Sequence, residues 1–188
     1  WNADKRVLII AEIGNNHEGS YTLAEEMIGL ACESGVDAVK FQTFQTKYFI
    51  SSKDKNRFNQ LKSYELTQNE FEKLSKVAKE LDLIFLSTPF DIESALFLKT
   101  IVDAYKISSG DNNFYPLIKE IAQTYKPLIL STGYADIDQI KKSIQLIENI
   151  WKKKNISERL AVLHCVSAYP VEPEYANLKA IETLRNSF

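Results

Sequence analysis

The stretch Ala38-Val39-Lys40-Phe41-Gln42-Thr43-Phe44 reads as a β-strand that carries an ammonium group among apolar neighbours. It is short, rich in apolar residues and bounded by polar segments, which suits a parallel strand covered on both faces. Residues 7–13, 83–87, 104–107, 127–131 and 160–166 form runs of the same character. Polar residues gather where each run ends: Glu12, then Lys40 and Gln42, then Thr88, then Lys106 and Ser109, then Ser131 and Thr132, then His164 and Ser167.

Between these runs the period turns helical. Leu23, Met27, Leu30 and Ala31 make one stripe, with Gly35 at the stop position. Thr67 and Glu70 have capping-box spacing ahead of Phe71, Leu74, Val77, Ala78 and Leu81. Asp91 is placed to cap a helix bearing Ala95, Leu96 and Leu98, and Pro116 to enter one bearing Leu117, Ile118 and Ile121. Asp136 opens another, with Ile137, Ile140, Ile144, Ile147 and Trp151, and a short helix is expected over residues 178–184. The polar stretch 45–65 reads as a long loop of the kind that forms lids, binding loops or oligomer contacts.

Alternating strands and helices imply a parallel sheet, either doubly wound or closed as a (β/α)8 TIM barrel. A doubly wound sheet concentrates its site at one switch point, whereas polar residues at every strand end are barrel behaviour. The expectation is therefore an α/β barrel domain over residues 1–188, truncated after about six βα units. The first and sixth strands are then expected to be left as edges.

The composition narrows the functions. Of the 188 residues 45% are hydrophobic and 26% charged, enough for a core, and the net charge of −2 argues against a general nucleic-acid or membrane-surface binder. No apolar stretch approaches the roughly 20 residues of a membrane span, and residues 1–6 lack a signal-peptide layout, so the reading is soluble and cytoplasmic. Cys32 and Cys165 read as reduced core thiols.

An ammonium inside a strand costs several kcal/mol unless an anion meets it. Lys40 and Lys106 are thus read as internal ion pairs, as Schiff-base lysines, or as cations awaiting an anionic substrate. The hydroxyls of Ser87-Thr88, Ser108-Ser109-Gly110 and Ser131-Thr132-Gly133 favour the last reading, since hydroxyls and backbone amides beside lysines cradle phosphate or carboxylate. Glu12 could transfer a proton, bind sugar hydroxyls, or simply pair with Lys40 or Lys106. His17 reads as a loop cap or hydrogen-bond donor, and with His164 and the cysteines it has no short ligand spacing, so no metal site is assigned.

The strings Ala11-Glu12-Ile13-Gly14-Asn15-Asn16-His17, Val39-Lys40-Phe41-Gln42-Thr43-Phe44, Ser87-Thr88-Pro89-Phe90-Asp91, Tyr105-Lys106-Ile107-Ser108-Ser109-Gly110, Leu130-Ser131-Thr132-Gly133 and Leu163-His164-Cys165, followed by Tyr169-Pro170, resemble the N-acetylneuraminate (sialic acid) synthase family. The family includes legionaminic and pseudaminic acid synthases and spore-coat polysaccharide relatives. The resemblance implies a (β/α)8 barrel that condenses phosphoenolpyruvate with an N-acylated amino-sugar aldehyde, giving a nine-carbon 2-keto acid and phosphate. It places Lys40, Thr88, Lys106, Ser109, Ser131 and Ser167 at phosphoenolpyruvate, although some members have Asn at the last position, and Glu12, Gln42 and Tyr169 at the sugar. Glu12, Lys40, Lys106 and Asp111 form the implied catalytic set; Asp111 replaces a family Glu, with a reach shorter by about one methylene.

The resemblance also implies a divalent metal, Mn2+ or Mg2+, whose histidine ligands, together with a C-terminal antifreeze-like domain and a homodimer, belong to the full-length protein beyond Phe188. Two other readings stay open: a Schiff-base lysine aldolase, and a non-catalytic truncated barrel that binds small anions.

Overall fold

A computed structural model describes residues 7–156 and 160–188, so residues 1–6 lie outside the described part. The chain divides into two compact units, Trp1–Ala104 and Tyr105–Phe188.

In the first unit β1 (Ile10–Gly14), β2 (Ala38–Thr43) and β3 (Ile84–Pro89) run parallel in that order. Glu12 lies opposite Lys40, and Gln42 opposite Thr88. Because strand side chains alternate, these four residues share one face of the sheet. Helices α1 (Tyr21–Glu33), α4 (Gln68–Glu80) and α5 (Ile92–Leu98) begin at the side-chain caps Ser20, Thr67 and Asp91, and Thr67 with Glu70 closes the capping box.

Four expectations change here. Residues 7–9 precede β1 instead of belonging to it. The inward stripe of α1 is Ala24, Ile28 and Ala31, while Leu30 is exposed; small residues allow the helix to sit close, and the larger leucine is left outside. Leu96 likewise faces solvent on α5. The stretch 45–65 is not a bare loop, for it holds α2 (Thr46–Phe49) and α3 (Lys55–Tyr64), the latter capped by Asp54 and burying Leu61.

The second unit contains β4 (Ala104–Ile107, whose first residue closes the preceding unit), β5 (Leu128–Ser131) and β6 (Leu160–Leu163), parallel in that order. Lys106 stands opposite Ile129, and Ser131 opposite Leu163. Helix α6 (Tyr115–Ala122) carries Pro116 in its first turn, and α7 (Ile137–Lys152) is capped by Asp136. Strand β6 stops at Leu163, short of the expected residue 166, and α8 (Ala180–Ser187) starts later than the sequence suggests.

Burial grades with position in each unit. Strand β5 is wholly buried and β2 and β3 nearly so, whereas β1 and β6 contain exposed residues. Among the described residues β1 pairs with β2 and β6 with β5. Cys32 and Cys165 are free thiols at half-buried positions, not core ones.

Candidate functional site

The polar face of the first unit is built around Lys40. Its ammonium forms an ion pair with Glu12 and donates to Thr88 Oγ1 at 3.3 Å. Lys40 and Thr88 are buried, while the Glu12 side chain is 52% exposed, so solvent reaches the anionic end of the pair. Gly14, at φ +60°, keeps the space beside them open: a Cβ there would lie 3.4 Å from Glu12 Oε1 and 3.8 Å from Gln42 Nε2. Ser87, by contrast, is bonded to Thr43 and to the Phe41 carbonyl, a structural arrangement.

His17 takes the loop-cap reading and not the donor one, and it is buried. It is buried against Phe41, and its Nδ1 accepts from the Gly19 N–H at 3.1 Å, leaving Nε2 without a partner among the described residues. Burial holds its pKa below the usual histidine range, with Glu70 partly opposing that shift.

In the second unit the Lys106 ammonium donates to Ser131 Oγ and, at 3.1 Å, to the Ile107 carbonyl. Cys165 Sγ lies 3.2 Å from the same Ser131 hydroxyl. The Ser109 hydroxyl accepts from the Gly133 N–H at 3.1 Å. Ser167 Oγ is buried and has no partner among the described residues. Both hydroxyls converge on Gly133, since a Cβ at that position would collide with them.

Two predicted residues stand apart from this cluster. Tyr169 is 98% exposed. Asp111 accepts from the Ser108 hydroxyl at 2.5 Å, and burial pushes its carboxyl above the usual range against the pull of that bond. Asn112, which the sequence did not single out, is buried and bonds to Gly133, Gln139 and Ser143.

The clusters present ammonium and hydroxyl donors, a set suited to an anion and not to a metal cation. No group of three or more His, Cys, Asp or Glu able to hold a metal occurs among the described residues, and His164 Nε2 is 2.8 Å from the Ala176 carbonyl. The implied divalent metal therefore does not fit these residues. A groove of about 1010 Å³ in the second unit, along Trp151, Val162, Ile181 and Phe188, is lined by none of the predicted site residues.

Residues 27–188 match the NeuB family. The chain belongs to the NeuB family. It is 42% identical over 181 residues to an uncharacterised protein of Methanocaldococcus jannaschii, covering 96% of this chain and 52% of that one. It is also 37% identical to N,N'-diacetyllegionaminic acid synthase of Campylobacter jejuni, covering 98% and 58% respectively. The crystal structure of an N-acetylneuraminic acid (sialic acid) synthetase from Leptospira borgpetersenii, in complex with citrate, superposes with a TM-score of 0.88 at 34% identity, covering 97% of this chain and 62% of that one. The chain spans about half the length of the curated NeuB relatives it matches. The relationship supports an α/β fold of the sialic acid synthase type. No helix among the described residues is long and apolar enough to cross a membrane.

Proposed function

We propose that the protein condenses phosphoenolpyruvate with an N-acylated amino-sugar aldehyde, forming a nine-carbon 2-keto acid and releasing phosphate. The observation that carries this reading is the hydroxyl cradle of Ser109, Gly133 and Ser167 in a NeuB-family chain, with a buried Ser167 hydroxyl that lacks a partner among the described residues. A buried unpaired hydroxyl is costly, and a phosphate oxygen would satisfy it.

In this reading Lys40 with Thr88, and Lys106 with Ser131, supply positive charge and donors to the phosphate and carboxylate of phosphoenolpyruvate. C3 of the enol ester attacks the aldehyde carbon, and the aldehyde oxygen takes up a proton to become a hydroxyl. Water adds at C2, and the tetrahedral intermediate expels phosphate as the 2-keto group forms. Glu12 and Gln42 are the residues proposed to face the acceptor, with Glu12 the candidate for moving a proton. Tyr169, exposed as it is, is proposed to join the acceptor site on sugar binding, whereas Asp111, bonded to Ser108, is assigned no step. A requirement for Mn2+ or Mg2+ is proposed for the full-length protein, with ligands outside the described residues.

The test is release of inorganic phosphate from phosphoenolpyruvate by the full-length protein with added divalent metal. Release is expected only with an N-acylated hexosamine present, and borohydride with a keto acid should trap no lysine adduct. Release with a plain aldose phosphate, and none with any N-acyl amino sugar, would sink the reading.

A further inference from the structure

We propose that Asn112 is a positioning residue that, through Gly133, sets the Ser109 and Ser167 hydroxyls for the phosphate group of phosphoenolpyruvate. The proposal rests on the function proposed above and assigns one part of how that anion is held.

Asn112 is buried, and both ends of its amide are engaged. Nδ2 donates to the Gly133 carbonyl at 2.9 Å, and Oδ1 accepts from Gln139 Nε2 at 2.5 Å. Its own backbone carbonyl accepts from the Ser143 hydroxyl at 2.5 Å. Helix α7, which carries Gln139 and Ser143, thereby fixes the orientation of Asn112, and Asn112 fixes Gly133. Gly133 is gripped at both of its backbone polar atoms, because its N–H donates to Ser109 Oγ.

That last bond decides the chemistry. A serine hydroxyl has one proton to give and two lone pairs to receive. The Gly133 N–H occupies a lone pair of Ser109 and leaves the Ser109 proton able to point at an incoming anion. Ser167 presents a second hydroxyl, buried and unpartnered among the described residues, on the same side of Gly133. The missing side chain at position 133 leaves the space against which both hydroxyls sit. Asn112 is buried and each end of its amide already holds a protein partner, so it acts through Gly133. Its role is to hold the glycine where both hydroxyls remain donors.

The experiment measures phosphoenolpyruvate KM, kcat and Tm for the full-length protein and three variants. Asn112→Asp keeps the shape but sets a carboxylate oxygen against the Gly133 carbonyl. At neutral pH its KM should rise about tenfold with kcat nearly unchanged, the pattern of lost ground-state binding worth one charge-assisted hydrogen bond. Acidification should bring KM back toward wild type, because a protonated aspartate regains a donor. Gly133→Ala should raise KM to a similar extent through the displaced hydroxyls. Ser143→Ala weakens the seat of Asn112 without touching its amide, and should lower Tm with a smaller rise in KM than Asn112→Asp.

If Asn112→Asp lowers Tm but leaves KM at wild-type values across pH, Asn112 is merely structural and the proposal is overturned. If that variant does not fold, Gly133→Ala decides, and an unchanged KM there also overturns it. Wild-type protein that uses no phosphoenolpyruvate with any N-acyl sugar removes the proposed function instead, which separates the two failures.

Discussion

The two units hold their lysines differently. Lys40 in the first is met by the carboxylate of Glu12, whereas in the second the Ser131 hydroxyl and the Ile107 carbonyl are among the groups that meet Lys106. A carboxylate competes with any incoming anion for the cation it pairs with. A hydroxyl does not compete in that way, because it can turn and donate to the same anion. The first arrangement limits the cost of a buried ammonium at the expense of its availability, and the second combines the ammonium with further donors. Removing a group from each unit should therefore move anion affinity in opposite directions.

The largest effect is expected from Lys106→Met. Methionine keeps most of the apolar stem and removes the ammonium, so packing is largely retained. Calorimetry with phosphoenolpyruvate should show affinity lower by about tenfold to a hundredfold, the range for a lost bond to a charged group. The melting temperature should move by no more than about 4 °C, equivalent to about 1 kcal/mol in a domain of this size. Unchanged affinity would remove Lys106 from the anion site. A collapse in thermal stability would make it a structural residue.

A smaller effect lies in the turn that follows β4. Burial raises the Asp111 pKa in the folded chain above its ordinary value of 3.8, so the folded state holds that proton more tightly than the unfolded state. Its stabilising contribution is then complete below pH 3.8 and is lost as pH rises through the raised value. Asp111→Asn lacks this dependence while keeping an oxygen that can accept from Ser108. The variant should melt above wild type at neutral pH, with the gap closing below pH 4. A gap that stays constant between pH 3 and pH 8 would show that the Asp111 environment does not perturb its titration.

Much of this contrast was legible in the sequence, but unevenly. Six apolar runs located the six strands, because strands covered on both faces leave continuous apolar signatures. The lysines stood out for the same reason: a charge within such a run demands an explanation. Helix α3 was illegible because its apolar positions Phe58, Leu61 and Tyr64 are sparse among polar and charged residues and only Leu61 is buried. On α1 the larger Leu30 concealed the true inward face of Ala24, Ile28 and Ala31. His17 looked like a loop residue because nothing in its neighbours signals burial against Phe41. Asn112 could not be found from the sequence, since its partners stand at positions 133, 139 and 143, and hydrogen bonds over such separations leave no local pattern. The sequence places Glu12 between a catalytic and a pairing role, and the structure shows the pairing without removing the other.

The smallest effect comes from Glu12→Gln, and its sign is the informative part. Glutamine keeps the length of the side chain and an acceptor oxygen for Lys40, but removes the charge. The Glu12 side chain is half exposed, so water already screens much of its attraction, and the loss of stability should not exceed about 1 kcal/mol. Added salt should shrink that loss further, as it does for solvent-reached pairs. With the competing carboxylate gone, Lys40 becomes more available to an anion, and phosphoenolpyruvate binding measured by calorimetry should tighten by about two- to threefold, equivalent to about 0.5 kcal/mol. Binding is the measurement to use, because turnover would mix this effect with any role of Glu12 in proton transfer. Weaker binding in Glu12→Gln would mean that the carboxylate orients Lys40 toward the ligand instead of competing for it, and the distinction drawn between the two lysines would then fail.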